Sequence, residues 1–406
     1  MNLSLEEQPL PEHVPEELVR DIDAIEMIAA GGIRTLANAV DLHNELPPVF
    51  WATRMSYLGP CWVVLRAVDL RQVLQDPETF SSSGQTSFST LIGETWAMLP
   101  LEVDPPEHAA YRAVINPLFT PKKMMSLEPR VREIAAKLIQ DVASEGSCDF
   151  NEAFAIQFPA LMFLELMGWP QEEAPKFVGW AKSLIKTADM AQAAESASAI
   201  AGYLRTRIAE ARSNPGNDFC SYAVAAEVNK RPMTDDEVLG MCFLVFIAGL
   251  DTVTSMLGFH FLHLATHPKD QQRLRENPAL IPDAVEELLR AYAIVNGRRR
   301  VTKDIEIGGI QMKAGDFVMV SALLGNTDET AFPNPGVVDF DRQDKRHMTF
   351  NLGPHRCAGS NLARRELILA IEEWLKRVPS FSAVDQDKIA VRPSGVMGLD
   401  NVMLRW

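Results

Sequence analysis

The chain has 406 residues, 47% of them hydrophobic and 23% charged, so it can bury a large core and has an ordinary globular composition. Its net charge of -15 argues against a nucleic-acid partner, because a phosphate backbone attracts a surplus of Lys and Arg. The five cysteines are scattered and lack CxxC spacing, which is typical of free thiols in a reducing cytosol and not of a zinc finger or a disulfide scaffold.

The N-terminal segment is acidic and contains several prolines. It lacks a basic stretch followed by an apolar run, so we predict a cytoplasmic protein without a signal peptide. Residues 50–67 are rich in aromatic and β-branched side chains and predict a hairpin. Apolar residues at three- and four-residue spacing predict helices over residues 127–144, 151–168, 171–188, 191–213, 235–265 and 268–277. No linker interrupts this pattern, so we expect a single domain over residues 1–406, with a helix-rich lobe and a smaller β-rich N-terminal region.

The apolar stretch 240–265 is long enough to span a bilayer. It carries Asp251 at its centre and has no basic flank, so we predict a helix in the protein core and no membrane partner. Further along, 305–323 alternates apolar residues around glycine turns and predicts strands, and 324–349 predicts an irregular loop. The chain is therefore predicted to be mainly α with small β-sheets, an α+β fold.

The sequence FNLGPHRCAGS (350–360) places Cys357 between that loop and a following helix. The first turn of a helix presents unpaired N–H groups and a positive dipole end, which stabilise a thiolate. Gly353 and Gly359 would let the backbone approach a flat cofactor, and Phe350 could pack on its ring. Taken alone, the pattern leaves two interpretations open: a ligand cysteine, or a small apolar cysteine in a glycine-containing turn.

Four segments together resemble the cytochrome P-450 superfamily. The stretch 350–359 matches the haem-binding signature F-x-x-G-x-x-x-C-x-G at each fixed position. AGLDT (248–252) is similar to the oxygen-activating part of the long central helix, ELLR (287–290) to the ExxR pair, and HAAYR (108–112) to the helix that binds a haem propionate. The resemblance implies the P-450 fold, a triangular prism with haem between the central helix and the cysteine loop.

The resemblance implies haem b as cofactor, with the Cys357 thiolate as axial ligand of the iron. Thiolate donation to the iron favours O–O cleavage. It also implies that Thr252 holds the oxygen and a water and that Asp251 relays protons, with Lys186 as a candidate cation partner of Asp251. The alternative for this pair is structural, since Thr often bonds the carbonyl four residues earlier and a buried Asp is often salt-bridged. Asn351 departs from the family pattern, because a second glycine is common there.

Other residues are expected to hold the haem edge and its loop. The resemblance implies propionate contacts from His108, Arg112 and His355, and Arg299 is our choice from GRRRVTKD, where we interpret Arg298 and Arg300 as surface charge. Glu287 and Arg290, with Arg342, are expected to form a buried structural network that supports the cysteine loop.

The chain has no flavin or nicotinamide fingerprint, so electrons are expected from another protein. Cations crowd around the cysteine motif and predict a basic surface for an acidic [2Fe-2S] ferredoxin served by a separate ferredoxin reductase. The alternative is scattered solubilising charge. The cations are Lys345, Arg346, Arg356, Arg364 and Arg365, with Arg112, Lys122 and Lys123 as an extension.

Within the superfamily, residues 9–23, 93–108 and 286–298 resemble the bacterial camphor 5-monooxygenases. Those enzymes have a tyrosine whose hydroxyl donates to the substrate ketone, and the matching residue here is Trp96. With Ile247 and Val295 as apolar walls, we predict a small terpenoid ketone, such as an ionone-like norisoprenoid or a monoterpenoid, hydroxylated with O2. The alternatives are a peroxide-driven or non-oxygenating haem protein and a non-enzymatic helical binding protein without cofactor.

Overall fold

The computed structural model describes residues 10–55, 58–86, 88–185, 187 and 189–406. Within these residues the helices are α1 Ala24–Ala29, α2 Thr35–Glu45, α3 Ala67–Gln75, α4 Phe88–Leu91, α5 Glu107–Ile115, α6 Pro121–Val142, α7 Gln157–Met167, α8 Ala174–Ile185, α9 Met190–Ser213, α10 Phe219–Val224, α11 Asp235–Thr266, α12 Pro268–Glu276, α13 Ile281–Ala291, α14 Ala322–Asn326 and α15 Ser360–Arg377. The strands are β1 Val19–Arg20, β2 Val49–Ala52, β3 Cys61–Val64, β4 Phe80–Ser81, β5 Ser147–Asp149, β6 Glu227–Val228, β7 Arg231–Pro232, β8 Asn296–Val301, β9 Ile305–Ile307, β10 Ile310–Met312, β11 Phe317–Ser321, β12 Ser382–Ala383, β13 Ala390–Arg392, β14 Gly398–Asp400 and β15 Met403–Arg405. The prediction of a mainly helical fold with small sheets is confirmed.

Every predicted helix is present, with local differences at the starts. The segment predicted from residue 151 begins with a π-helical turn, Asn151–Ala155, before α7. The segment predicted from residue 171 begins with a 3-10 turn before α8. These departures lie at helix ends, where tighter or wider turns are common because the first N–H groups have no intrahelical partner.

Helix α11 is the central element of the fold. A capping box starts it: the Thr234 side chain accepts from the Glu237 N–H, and the Glu237 carboxylate accepts from the Thr234 N–H. The helix packs against α7, α9, α10, α12 and α15. It is long and apolar enough to cross a membrane, but 72% of its most apolar window is buried inside the protein. That burial is typical of the core helix of a water-soluble fold and agrees with the prediction from residues 240–265.

A six-stranded sheet covers one side of the helices in the order β1-β2-β3-β11-β8-β4. The predicted hairpin is formed by β2 and β3, which pair antiparallel with Phe50 opposite Val63. Strand β11 pairs antiparallel with β8, which puts Val318 opposite Arg299. Along β8 the burial alternates so that Arg299 is buried and Arg300 is exposed. The sheet therefore turns one arginine of the GRRR run toward the interior.

Candidate active site

The cysteine loop takes a conformation that explains two of its residues. Asn351 has a φ of 62°, in the left-handed region that favours glycine and that Asn tolerates better than most residues. The departure from the family's glycine therefore keeps the backbone shape. Gly353 also has a positive φ, 66°, and a Cβ there would lie 2.6 Å from the Leu74 carbonyl oxygen. Gly353 is thus required by backbone packing against α3, a reason that the sequence did not indicate.

Cys357 differs from the other cysteines in its surroundings. Its N–H donates to the Phe350 carbonyl at 2.8 Å, which closes the loop. Its side chain is accessible, whereas the other four cysteines are buried or partly buried. Protein surrounds the thiol on most sides, and this desolvation raises its pKa, while the Gly359 N–H and the charge of Arg112 act in the opposite direction. A metal cation at the sulfur would favour the thiolate despite the desolvation, because coordination deprotonates a thiol.

The ring of Phe350 is held beside this cysteine. Phe350 is buried, and the Arg364 guanidinium lies over its ring at 4.4 Å from the centroid. Arg364 also pairs with Glu286, which in turn accepts from His347 at 3.2 Å. Burial raises the pKa of Glu286, but the His347 and Arg364 hydrogen bonds outweigh it and leave that pKa at about 2. The aromatic wall of the loop is thereby anchored by an ion pair.

A fully buried ion network supports the loop from behind. Glu287 and Arg290 are both 0% exposed, and Arg290 donates to the two carboxylate oxygens at 2.9 and 2.8 Å. Arg342 reaches the same carboxylate at 3.1 Å. The two arginines also donate to backbone carbonyls of residues 326 and 333–337. The predicted network with Arg342 is therefore present, and it fixes the irregular segment that precedes the cysteine loop.

A buried asparagine carries this support to the loop itself. The Asn326 amide oxygen accepts from the Met348 N–H at 2.8 Å, and its NH2 group donates to the Arg290 carbonyl and to Thr349 Oγ1. Thr349 Oγ1 donates to the Leu289 carbonyl at 2.7 Å. The residues directly before Phe350 are thus tied to α13 through side-chain hydrogen bonds.

Four polar residues predicted to contact propionates lie on three separate elements and share one neighbourhood. The His108 and His355 rings are 4.3 Å apart. Each has a buried Nε2 atom without a hydrogen-bond partner in the structure. Burial, followed by the Arg299 charge, lowers the pKa of His355 to about 3, and burial also lowers the pKa of Arg299, to about 10. Arg112 is half-buried, and its pKa is lowered by burial too.

This cluster holds more positive charge than the described residues neutralise. Arg299 donates to Gln85 Oε1 at 2.7 Å, a neutral acceptor. Among the described residues, the Asp104 carboxylate lies 3.9 Å from His355 Nε2, and its charge also acts on Arg299. Buried cations and orphaned ring nitrogens are costly unless an anion or acceptor completes them. Two carboxylates, such as the haem propionates, are the ligand chemistry that fits these donors.

Helix α11 exposes one stripe in its otherwise buried middle. Leu244, Ile247, Ala248 and Thr252 are partly or fully accessible, while most of their neighbours are buried. Their spacing puts them on one face of the helix. Ile247 packs against the same apolar cluster as Ala358, the residue after Cys357. The stripe and the cysteine loop thus each place a residue against this cluster.

Thr252 makes the hydrogen bond that a structural threonine would make. Its hydroxyl donates to the Ala248 carbonyl at 2.8 Å, and the buried Thr254 does the same to Leu250 at 2.7 Å. This hydrogen bond to the carbonyl four residues earlier is therefore common to both threonines. They differ in exposure, because Thr252 is partly accessible and Thr254 is buried. Since the proton of Thr252 is engaged, its oxygen remains available as an acceptor. The neighbouring Asp251 is 7% exposed, and its suggested cation partner, Lys186, lies outside the described residues.

The three residues predicted to contact substrate have different environments. Trp96 is buried and packs on Phe243 of α11 at 4.8 Å between ring centroids. Phe243 is one helical turn before Ile247, which is half-buried in the stripe. Val295 is 37% exposed and forms an isolated bridge with Val396. Trp96 and Ile247 thus lie along one helix face, whereas Val295 lies in the segment between α13 and β8 and pairs with Val396.

The predicted basic surface is largely neutralised by local ion pairs. Four of its five central cations contact carboxylates: Lys345 with Asp283, Arg346 with Asp344, Arg364 with Glu286 and Arg365 with Glu128. Among the described residues, no ion pair is formed by Arg356, Arg112, Lys122 or Lys123. The positive surface is therefore smaller than the sequence suggested and lies toward α5 and the start of α6. Arg298, interpreted as surface charge, is half-buried and lies 4.3 Å over the Phe317 ring.

Sequence reasoning missed three contributors to this site. Gln85 accepts from Arg299, Glu94 accepts from the Trp96 indole N–H, and Arg205 donates to the Glu94 carboxylate. None of them belongs to a recognisable motif. The only available signal was the presence of Glu94 two residues before Trp96, which does not reveal where either side chain points.

Comparisons with known proteins agree with this geometry. The family model described as Cytochrome P450 matches residues 180–389. A Sinorhizobium fredii protein named "Probable cytochrome P450 127A1" is 38% identical over 407 residues, covering 98% of this chain and 97% of the relative. The crystal structure of cytochrome P450 CYP101C1 has a TM-score of 0.87 and 32% identity, covering 98% of this chain and 99% of that one. That of CYP101J2 also has a TM-score of 0.87, with 31% identity and the same coverage.

Fold and site together define a haem-thiolate protein of the monooxygenase class. The chain belongs to the cytochrome P450 family. It is accordingly an oxidoreductase that takes haem b with a cysteine thiolate as axial ligand, and that uses O2 and a redox partner. The alternative of a helical binding protein without cofactor is thereby excluded.

Proposed function

We propose that this enzyme hydroxylates a small apolar terpenoid, such as an ionone-like norisoprenoid or a monoterpenoid ketone, at an unactivated carbon. The observation that carries the proposal is the accessible stripe of α11, in which Leu244, Ile247 and Ala248 are apolar and Thr252 is polar. An apolar wall with few polar groups is typical of a pocket for an apolar ligand. The similarity to P450 structures of the CYP101 series supports the same class of chemistry.

Cys357 is proposed as the residue that supplies the thiolate. When bound, the haem supplies activation of O2 and insertion of one oxygen atom into the substrate, while the other oxygen leaves as water. Cys357 is accessible and receives the Gly359 N–H, which lowers the basicity of the sulfur. A Cβ at residue 359 would meet only Cys357 Sγ, at 3.9 Å, so a glycine there keeps the sulfur uncrowded. Phe350 provides a buried ring next to the ligand.

The propionates are proposed to bind His108, Arg112, Arg299 and His355. In the described structure the Nε2 atoms of His108 and His355 have no hydrogen-bond partner, Arg299 donates to neutral acceptors, and Arg112 forms no ion pair. A carboxylate would satisfy the ring nitrogens and neutralise the guanidinium groups, so the haem and this cluster stabilise each other.

Asp251 and Thr252 are proposed to move protons to the oxygen site. Thr252 Oγ1 keeps its proton on the Ala248 carbonyl and accepts from a group in the pocket. It can therefore hold a water or a protonated oxygen in place. Asp251 is buried one residue away, so it can carry a proton inward from the surface.

The substrate class is tested by a ligand panel against the haem-loaded enzyme. We expect terpenoids to change the haem absorption spectrum on binding, because they displace water near the iron. A panel in which fatty acids or polar compounds bind and terpenoids do not would contradict the proposed substrate class.

The role of Thr252 is tested by Thr252→Ala. We expect the variant to keep haem and substrate binding but to release most of its reducing equivalents as peroxide, since the acceptor that retains the water is lost. General acid–base groups contribute about 10²–10⁴-fold, so product per electron should fall by at least about tenfold. Unchanged product per electron would contradict this role. Unchanged hydroxylation driven by added peroxide alone would indicate the peroxide-driven alternative.

The electron donor is proposed to be a [2Fe-2S] ferredoxin with a separate reductase, and the enzyme is proposed to be cytoplasmic. The support for a ferredoxin is the group of unpaired cations near Cys357, in an otherwise acidic protein. An acidic partner is steered to such a surface at low ionic strength.

A further inference from the structure

The indole N–H of Trp96 is already occupied in this structure. It donates to Glu94 Oε2 at 2.5 Å, and Arg205 Nη2 lies 2.5 Å from the same oxygen. Tryptophan has a single polar hydrogen and no acceptor. The part of Trp96 that remains available to a ligand is therefore purely apolar.

The direction of this hydrogen bond is as important as its presence. Arg205 belongs to α9, and its side chain is 46% exposed, while that of Glu94 is 30% exposed. Trp96 itself is 6% exposed. The polar edge of the indole thus points toward the outer helix α9 and solvent, whereas its ring packs inward on Phe243 of α11.

The carboxylate of Glu94 is well suited to hold this arrangement. The Arg205 hydrogen bond, and then the Trp96 N–H, lower the pKa of Glu94 although partial burial opposes them. A charged acceptor makes a stronger hydrogen bond to a buried donor than water does. The pair therefore fixes both the ring orientation of Trp96 and the connection between the segment after α4 and α9.

We propose that Glu94 is a positioning residue that turns the only donor of Trp96 away from the substrate, so that the enzyme recognises terpenoid shape and not a carbonyl group at this position. The inference rests on the proposed function and deepens it. It implies that terpenoid hydrocarbons bind as well as ketones of the same skeleton. A substrate carbonyl, where present, gains no hydrogen bond from Trp96.

Camphor and bornane provide a matched pair of probes, because they share one skeleton and differ by the carbonyl. Their dissociation constants are measured from the haem spectrum of the loaded enzyme. We expect Trp96→Phe to change both constants by the same factor, leaving their ratio within twofold of the wild type. If Trp96 donated to the carbonyl, Trp96→Phe would weaken camphor about three- to tenfold more than bornane, and this would overturn the inference.

The positioning role of Glu94 is tested by a double-mutant cycle. We expect Glu94→Gln to weaken both ligands by about threefold or more in the wild-type background and by less than twofold in Trp96→Phe, because the effect acts through the indole. An equal loss in both backgrounds would show that Glu94 only connects the two segments. Glu210→Gln is the matched control, as it breaks an exposed pair with Arg207 on the same helix.

The binding data distinguish the inference about Trp96 from the proposed substrate class. An enzyme that binds both probes but loses camphor selectively on Trp96→Phe contradicts only the inference. An enzyme that binds neither probe, and binds a fatty acid instead, contradicts the proposed substrate class and the inference with it.

Discussion

The cysteine side and the substrate side of this site are held by different kinds of contact. On the cysteine side, Glu287 and Arg290 form a fully buried ion pair, and Arg290 also donates to backbone carbonyls of the segment before the cysteine loop. On the substrate side, the Glu94–Arg205 pair is partly exposed, and Val295 is more than one third exposed. The geometry of the cysteine ligand is therefore fixed by buried charged groups. Substituting any one of them should lower the free energy of unfolding. The contacts on the substrate side are partly exposed, so substitutions can alter them while the protein remains folded.

The largest loss in the free energy of unfolding is expected when the buried network of Glu287, Arg290 and Arg342 is broken. Glu287→Ala leaves Arg290 and Arg342 without a carboxylate in the interior, which should cost about 3–5 kcal/mol in the free energy of unfolding and reduce haem content. Glu94→Ala is the matched substitution on the other side and should cost less, about 1–2 kcal/mol, because its ion pair is partly exposed and only the Trp96 N–H loses an acceptor. Denaturant unfolding of both variants measures the difference. Equal losses would contradict the contrast between the two sides.

A second test addresses the core behind the site through His260. This residue is fully buried on α11, and burial, followed by the His263 charge, lowers its pKa to about 3 from an ordinary 6.5. Between these values the unfolded chain binds a proton that the folded protein does not. The free energy of unfolding should therefore fall as pH drops below 6.5, by about 1.4 kcal/mol per pH unit from this residue.

The variant His260→Leu isolates that contribution. Urea unfolding of wild type and variant at pH 8, 7, 6 and 5 should give a constant difference in the free energy of unfolding above pH 6.5 and a shallower decline for the variant below it. An identical decline in the two proteins would show that His260 does not carry the acid sensitivity.

The smallest expected effect concerns the partner surface. Lys123 forms no ion pair with the described residues, whereas Arg346 is paired with Asp344 at 2.7 Å. Lys123→Gln should slow association with the ferredoxin by about two- to fivefold at low salt, and Arg346→Gln by less. The difference should vanish at high ionic strength, where exposed charges are screened. Stopped-flow reduction measures it, and a larger effect at Arg346 would contradict the revised surface.

Much of the fold was predictable because its elements carry strong periodic patterns. The long helix α11, the β2–β3 hairpin and the irregular loop before Cys357 all follow from apolar spacing and turn residues. The motif around Cys357 could be recognised in the sequence because the backbone geometry of the loop restricts which residue types it accepts. Asn351 shows this well: its positive φ accepts only a few residue types.

The remaining features depend on where side chains meet across the fold, which spacing does not encode. The partner of the Trp96 N–H could not be predicted, since Arg205 lies more than 100 residues from Glu94. The pairing of Lys345, Arg364 and Arg365 likewise comes from acidic residues on other elements, whereas Arg346 pairs with Asp344, two residues away in the sequence. Charge counts along the sequence overestimated the positive surface for that reason.

We propose Cys357 as the thiolate ligand of the haem iron. The spectrum of the reduced, carbon-monoxide-bound protein is the most direct test of this ligand. The purified protein should be coloured and should show the strongly red-shifted main band of a thiolate-ligated haem. Cys357→Ala should abolish that band, while Cys148→Ala, at a half-buried cysteine on β5, should retain it. A Cys357→Ala protein that keeps the red-shifted band would contradict the ligand assignment.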